Sequence, residues 1–549
     1  MKSKYCLERI LFVCFSSLCI LVASTTIADA CTSLLVTKGA SDDNSCMITY
    51  TADSAGFFVH LAYVEQSDGT FVPTGGSVVF PKGTKTHRVF GFVGENVIDS
   101  FQGIMNDCQV AIAETTWGGR PELQNKIGHF KYPELMTAAL QGASTAREAV
   151  ELMGRLVDEF GYVDEGESIS VCDKNEAWVF EICGTGADSE DNNTGCVWVA
   201  VRVPDGCITA HANLARIGEF PLDRPEECVY SKNIISFATE RGYYNPERDG
   251  NFSFYKAYGI NGVEDRRVCE KRVWSIFRRA APSLELPVDY AQGEDAEPYP
   301  WFIKPDSKLS FEDVASLMRD HYEGTEYDMR VGVDAGPYGN PMRCRPLYWS
   351  YDGNKYAWER PISTQQTCFS IITRSTDELP DVVGGLVWFG WDDTYTTCYA
   401  PIYASISKLP ASTTMGSINR FDMKSGWWTF NFVANYAYPR YEEMIPVIQG
   451  KQNTLESYFR SLQKPVERTA AELLSSDLNA AVQFLTDYSC MQVEKARSQW
   501  EDLANQLIVK FNDGYSKNEK GEYPNVGYPE RWLKKVVEEE GERFALPQE

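Results

Sequence analysis

Beyond residue 30 the chain opens with short runs in which β-branched and aromatic residues alternate with polar ones, a pattern that predicts strands. Thr-Ser-Leu-Leu-Val-Thr at 32–37 and Cys-Met-Ile-Thr-Tyr-Thr-Ala at 46–52 flank a turn rich in Ser, Asp and Asn, so they predict a hairpin. Further strands are predicted at 57–65, 88–93 and 109–115, each bounded by Gly, Pro or Asn. The apolar period then lengthens from two to that of a helix. Helices are predicted at 132–142 and 145–160, the second opened by the capping pattern Thr145-x-x-Glu148 and closed by Gly161, with Val150, Met153, Val157 and Phe160 on one face. Strands return at 168–173, 176–183, 195–203 and 206–213.

From about 218 to 310 the pattern is irregular, charged and rich in Tyr, Asn and Pro, with one helix predicted near 264–280, and reads as a decorating insertion. Ser310-x-x-Asp313 starts a helix predicted to run to about 322, and strands resume near 365–373, 384–390 and 396–405. Residues 453–512 are predicted to be helical, with Val493, Ala496, Trp500, Leu503, Leu507 and Phe511 recurring at three and four along a core-facing stripe, and a short helix follows around 530–543. Strands, then helices, then strands joined by short turns predict an α+β layered fold with mainly antiparallel sheets.

The first 30 residues follow another rule. Lys2, Lys4 and Arg9 precede an apolar run over 10–22 and the small-residue site Ala28-Asp29-Ala30, the pattern of a secretory signal cut before Cys31. The run is about 13 residues, short of the roughly 18–20 that span a bilayer, so export to a periplasm or beyond is expected, without a stable membrane anchor. A lipoprotein leader also places a cysteine at the cut, but favours Leu where Ala28 stands and a small residue where Asp29 stands. Lipidation would consume both the Cys31 thiol and its amine. Removing the leader takes away three cations (Lys2, Lys4, Arg9) and two anions (Glu8, Asp29), moving the formal charge from −25 to −26. Such an acidic chain argues against nucleic acid and anionic membranes as partners.

Candidate chemistry is bounded by scarcity. The chain holds 5 histidines, with no His-Glu-x-x-His and no Cys-x-x-Cys spacing among its 16 cysteines, so no metal or organic cofactor is expected. Disulfides and buried free thiols both remain open for the cysteines beyond the leader. A Cys31 exposed by cleavage would need no histidine. Its α-amine, with an ordinary pKa of about 7.7–8.0, is a base on the same residue as the nucleophilic thiol. Such a site further needs donors for an oxyanion and a carboxylate to hold the amine.

Cys31-Thr32, Lys38-Gly39-Ala40-Ser41, Gly103-Ile104-Met105-Asn106 and the stretch Val110-Ala111-Ile112-Ala113-Glu114-Thr115-Thr116-Trp117-Gly118-Gly119 come in one order. They continue through Trp198-Val199-Ala200-Val201-Arg202-Val203-Pro204-Asp205, Ala210-His211-Ala212-Asn213, Arg345-Pro346, Glu359-Arg360-Pro361-Ile362-Ser363 and Gly384-Gly385-Leu386-Val387-Trp388-Phe389-Gly390. Over about residues 31–400 the chain thereby resembles the dipeptidase A family of cysteine N-terminal nucleophile (Ntn) hydrolases. It is more distantly similar to penicillin V acylases, bile salt hydrolases and secernins. The resemblance implies a four-layer αββα sandwich and hydrolysis of small peptide substrates by the thiol of the first mature residue. Carried over, Cys31 is the nucleophile, Asp53 orients the α-ammonium, Asn106 donates to the oxyanion, and Asn213 completes that hole or holds substrate. The expected organisation is a leader over 1–30, a catalytic domain over 31–450 and a C-terminal helical extension over 451–549.

One departure concerns the arginine that bile salt hydrolase relatives carry shortly before the acidic residue, since none occurs between Cys31 and Asp53. Arg360, before Arg343 or Arg345, is the expected substitute, either supplying that charge or binding a dipeptide carboxylate. Glu114 is expected to receive the substrate's free amine. Trp388, Phe389, Trp391 and Tyr395 would line a side-chain pocket or pack a core. Two other readings stand beside the peptidase: an amidase for non-peptide acyl amides, and a non-catalytic surface protein whose Cys31 is lipidated or disulfide-linked. Self-association is left open.

Overall fold

A computed structural model describes residues 31–67, 80–81, 83–95, 101–186, 195–524 and 527–548; the predicted leader lies outside them. The first hairpin forms as its pattern requires, with β1 (Ser33–Val36) antiparallel to β2 (Met47–Asp53). All seven residues of β2 are buried, its threonines included. Thr49 and Thr51 accept the main-chain N–H groups of Leu34 (2.8 Å) and Thr32 (3.0 Å), so the polar positions of the alternation satisfy buried donors.

The remaining strands are β3 (Val59–Val64), β4 (Val89–Gly94), β5 (Phe101–Asn106), β6 (Ala111–Trp117), β7 (Gly166–Cys172), β8 (Ala177–Gly184), β9 (Cys196–Arg202), β10 (Ile208–His211), β11 (Cys228–Tyr230), β12 (Tyr348–Tyr351), β13 (Asn354–Ala357), β14 (Thr367–Arg374), β15 (Leu386–Trp391) and β16 (Ala400–Tyr403). A six-stranded sheet runs β10-β1-β2-β14-β15-β16 and an eight-stranded one β11-β9-β8-β7-β6-β5-β4-β3, while β12 and β13 make a separate ribbon. Every pair of named strands is antiparallel. The two large sheets meet through polar as well as apolar contacts. His211 bridges Thr115 (2.7 Å) and Ser170 (2.7 Å), and Ser170 reaches Ser33 (3.1 Å).

Helices α1 (Tyr132–Gly142) and α2 (Ala146–Phe160) pack on the eight-stranded sheet, with a core of their own that includes Leu140, Val150, Met153 and Phe180. Thr145 caps α2 by accepting the Glu148 N–H, and the Glu148 carboxylate takes the Ser144 N–H. Gly161 closes α2 at φ 79°. Helices Glu270–Ala280, Phe311–Met318, Gly426–Ala437, Tyr441–Leu474 and Leu478–Phe511 lie against the six-stranded sheet.

Several boundaries differ from the sequence reading. Strand β5 was not predicted, because Gly103 breaks its alternation; a Cβ there would stand 2.6 Å from Leu140 Cδ1, so the glycine lets α1 approach the sheet. Strand β6 begins at Ala111 because Gln109 has φ 67°. The insertion is more ordered than expected, holding β11 and helices Ile234–Glu240, Phe254–Tyr258 and Val263–Val268 before Glu270–Ala280. The C-terminal helices start at Gly426, and the expected division at 450 falls inside Tyr441–Leu474. Contacts join these helices to the sheet: Glu467 pairs with buried Arg374 of β14 (2.6 Å), and Trp500 stacks on Phe430, itself against Trp391 of β15. Trp388, Phe389 and Trp391 are buried in that core, on the packing side of their two readings. Among the described residues all 13 cysteines are thiols, and no helix is long and apolar enough to cross a membrane.

Candidate active site

Cys31 immediately precedes the Thr32–Thr51 bridge that starts the β1–β2 pairing, which fixes its backbone, and it is only 6% exposed. Its Sγ lies 3.8 Å from Tyr50 Oη on β2 and 3.9 Å from Glu114 Oε1 on β6; Tyr50 donates to the same Glu114 oxygen at 2.5 Å. Burial, and then the charges of Glu114 and Asp53, push the Cys31 thiol well above its ordinary pKa. A thiol so placed needs a base at the moment it attacks. His211 is poorly suited to that part, since burial holds it down at about 3 and its ring nitrogens are engaged by Thr115 and Ser170.

Asp53 ends β2 close enough to act electrostatically on Cys31. Its carboxylate accepts from Arg360 Nη2 (2.6 Å), Thr367 Oγ1 (2.6 Å) and Thr51 Oγ1 (3.1 Å). Arg360 is thus the buried ion-pair partner of Asp53. A guanidinium committed to a carboxylate at 2.6 Å is not on offer to a substrate terminus. Arg343 is likewise committed, to Asp334.

The residue that organises the site was missed by sequence reasoning because it lies in the insertion taken as decoration. Arg272, on helix Glu270–Ala280, donates through Nη1 to the Cys31 carbonyl (2.6 Å) and Thr32 Oγ1 (2.8 Å). Through Nη2 it donates to the Ala212 carbonyl (3.1 Å) and Asn213 Oδ1 (2.9 Å), and through Nε to the Val268 carbonyl (2.8 Å). All five guanidinium N–H groups are used, and they join the nucleophile candidate to the Asn213 corner. Asn213 follows β10 with φ 64°, a conformation Asn tolerates, and its Nδ2 donates to the Thr116 carbonyl (2.7 Å). Arg272 thereby links Asn213 to the Cys31 main chain.

Asn106 stands outside the Cys31 group. It ends β5 but gives its Nδ2 hydrogens to the carbonyls of Leu140 (2.8 Å) and Ala143 (2.7 Å), while its Oδ1 accepts from the N–H groups of Cys108 and Val110. Leu140 and Ala143 belong to the core beneath α1 and α2, whereas Cys31 belongs to the core between the sheets. With both hydrogens spent on main chain, Asn106 has no donor for an oxyanion, and the expectation carried over from the family resemblance is corrected here.

Two further groups complete the electrostatics. Glu167 on β7 is fully buried; burial and then the Glu114 charge push its carboxyl well above the ordinary range, opposed by the Thr116 hydroxyl at 2.7 Å. Glu114 and Glu167 thus form a buried acidic pair next to the thiol. Arg345 bonds neutral Gln366 through Nε at 2.8 Å and lines a cavity of about 270 Å³ with Ser54, Gly56 and Thr367. Burial, and then the Arg360 charge, press Arg345 down to about 10, with Asp53 opposing and Arg272 adding to the effect.

The chain is an α+β protein that sets a thiol, carboxylates and clustered guanidiniums between antiparallel sheets and helices. Residues 80–454 match the profile described as Peptidase family C69, and the chain belongs to that family. It is 25% identical to a probable dipeptidase of Latilactobacillus sakei, over 88% of this chain and 95% of that one. It is 26% identical to a probable dipeptidase of Salmonella dublin, over 71% and 84% of the two chains, and 22% identical to dipeptidase A of Lactobacillus helveticus, over 83% and 93%. The protein is a peptide-bond hydrolase.

Proposed function

We propose that this chain is an exported cysteine dipeptidase that becomes active when cleavage after Ala30 makes Cys31 the first residue. The reading includes an αββα Ntn arrangement of the layers described above. What carries it is the Arg272 clasp, which ties Cys31 to Asn213, each two residues beyond the Ser33–His211 end of the antiparallel β10-β1 pairing, while Asp53 sits beside the thiol. The family match begins downstream of Cys31, so the nucleophile rests on this geometry.

In the uncut chain the Cys31 nitrogen is an amide and cannot take a proton; cleavage turns it into an amine. The sulfur then attacks the substrate carbonyl carbon as its proton passes to that amine. Asn213 supports the oxyanion. The ammonium returns the proton to the leaving nitrogen, the C–N bond breaks and a thioester remains. Water, losing a proton to the same amine, attacks the thioester and releases the acid, and the sulfur recovers its proton.

The charges suit a substrate with two termini. Burial and the Glu114 charge hold the Glu167 carboxyl well above its ordinary range, and a free α-ammonium is a cation that such an acidic pair attracts. Around Asp53, three guanidiniums of Arg272, Arg345 and Arg360 face one carboxylate, and a substrate carboxylate at Arg345 offsets the surplus.

The experiment is intact mass and N-terminal analysis of active protein, with dipeptides assayed beside acyl amides. A start at an unmodified Cys31, release of amino acids from dipeptides, and a loss of at least about 10³-fold in Cys31→Ser are expected. An active chain starting upstream of Cys31, or hydrolysis of acyl amides alone, refutes the proposal.

A further inference from the structure

Asn106, displaced from the catalytic group, leads to a second cluster. Its side chain ties the turn after β5 to the connection between α1 and α2, and that turn sets Asp107 and Cys108 against His87, two residues before β4. His87 Nδ1 lies 2.8 Å from Asp107 Oδ1 and 3.6 Å from Cys108 Sγ. Its Nε2 lies 3.0 Å from Ser144 Oγ on the α1–α2 connection. One ligand atom from each of His87, Asp107 and Cys108 falls within 4.8 Å of the others. The catalytic proposal uses none of these side chains.

We propose that His87, Asp107 and Cys108 form a binding site for one Zn²⁺, with water as the fourth ligand. Nitrogen, thiolate and carboxylate are the donor types zinc takes, and three protein ligands with one open position make an accessible site. In a tetrahedron with Zn–S about 2.3 Å and Zn–N about 2.05 Å, the S···N edge is about 3.6 Å; the observed Sγ···Nδ1 distance is 3.6 Å. The N···O edge would be about 3.3 Å, so replacing the 2.8 Å hydrogen bond by the ion opens it by about half an ångström.

The surroundings hold each ligand by its far side. His87 Nε2 lies 3.0 Å from Ser144 Oγ, and the tautomer that donates from Nε2 to this hydroxyl is the one that turns the Nδ1 lone pair toward the metal. Asp107 Oδ2 accepts the Arg88 N–H at 3.2 Å, and the Cys108 N–H is held by Asn106 at 3.0 Å. His87 and Asp107 side chains remain 21% and 30% exposed, so the fourth position is open to solvent. On binding, the thiol proton and the proton shared by His87 and Asp107 leave to the buffer. Thiolate, carboxylate and neutral imidazole then balance the two charges of the ion.

The test uses the full chain carrying Cys31→Ser, stripped with a chelator and titrated with Co²⁺ and then Zn²⁺. One equivalent of Co²⁺ is expected to give a thiolate-to-cobalt charge-transfer band and visible bands of tetrahedral intensity, both removed when Zn²⁺ displaces it. Adding Cys108→Ser should abolish the charge-transfer band, and His87→Gln should weaken binding at least tenfold. Ser144→Ala, which removes a supporting bond, should weaken it by roughly tenfold. Circular dichroism of each variant reports its fold. No band in the Cys31→Ser protein, or a band that persists in folded Cys108→Ser, overturns the proposal.

Discussion

Replacing Arg272 by methionine, which keeps an unbranched apolar stem and removes every donor, tests the organisation of the site most directly. It leaves the carbonyls of Cys31 and Ala212, Thr32 Oγ1 and Asn213 Oδ1 without the donors that now lie 2.6, 3.1, 2.8 and 2.9 Å away. A buried acceptor left unsatisfied costs about 1–3 kcal/mol, so four at the low end cost about 4 kcal/mol. The four are coupled through one group and do not simply add, and a domain's whole stability is about 5–15 kcal/mol. Arg272→Met should therefore be markedly destabilised, seen in urea unfolding followed by tryptophan fluorescence.

Arg272→Lys keeps a charge and three donors but loses the fork, and it serves where the methionine variant does not fold. Because Arg272 holds the enzyme's own Cys31 and Asn213, both changes should act on kcat. A displacement of the nucleophile by about 1 Å corresponds to about 10²-fold in rate. KM for a dipeptide should move little. An Arg272→Met protein that unfolds like the parent and keeps its kcat would refute the assignment.

Arg345→Gln should raise KM for dipeptides about tenfold or more and leave the rate on C-terminally amidated substrates nearly unchanged; equal effects on both would exclude Arg345 as the carboxylate receptor. Asn106→Ala should lower stability by about 2–4 kcal/mol, through two carbonyls and two N–H groups left unpaired, with kcat of the folded variant retained. A residue donating to the oxyanion would instead cost about 10²–10³-fold in kcat. Asp392, next to β15, accepts from Asn431 Nδ2 at 2.9 Å and is lifted by burial from 3.8 to about 8. The folded protein keeps a proton there that the unfolded chain loses above about pH 4, so this stabilisation is complete below about pH 4 and is lost as pH rises through about 8. Asp392→Asn should melt progressively higher than the parent as pH goes from 5 to 9, and a constant difference across that range would contradict the assignment.

Local pattern made the β1–β2 hairpin, α1 and α2 legible, because each encloses its own signal: a polar turn, a capping residue, a closing glycine. Asp53 was legible through its place in the resemblance, and its burial follows from ending a strand covered on both faces. What stayed hidden depends on partners distant along the chain. Arg272 meets Cys31 across 241 positions, and no spacing in a charged, irregular insertion marks one arginine among many as the buried one. Arg360 reaches Asp53 across 307 positions, so whether it would serve substrate or carboxylate was open until the fold set them 2.6 Å apart. Asn106 misled for the opposite reason: an asparagine at a strand end suits an oxyanion and a turn equally, and the α1–α2 connection decided between them.

The overall charge of −25 likewise says little about the site, where guanidiniums outnumber the carboxylate they surround. On the proposed reading this local surplus sets the length of the substrate. The acidic pair beside Cys31 and the arginine beyond Asp53 are fixed on β6, β7 and the segment before β12, so their separation is a property of the sheets. Each added residue moves a peptide's terminal charge by up to about 3.5 Å and leaves a neutral amide where the charge was. In a buried site that loss falls on both partners, because the protein charge is left uncompensated while the peptide's own terminus is displaced. Selection for two residues then needs no wall at either end, and shortening or capping the substrate should be penalised as surely as lengthening it.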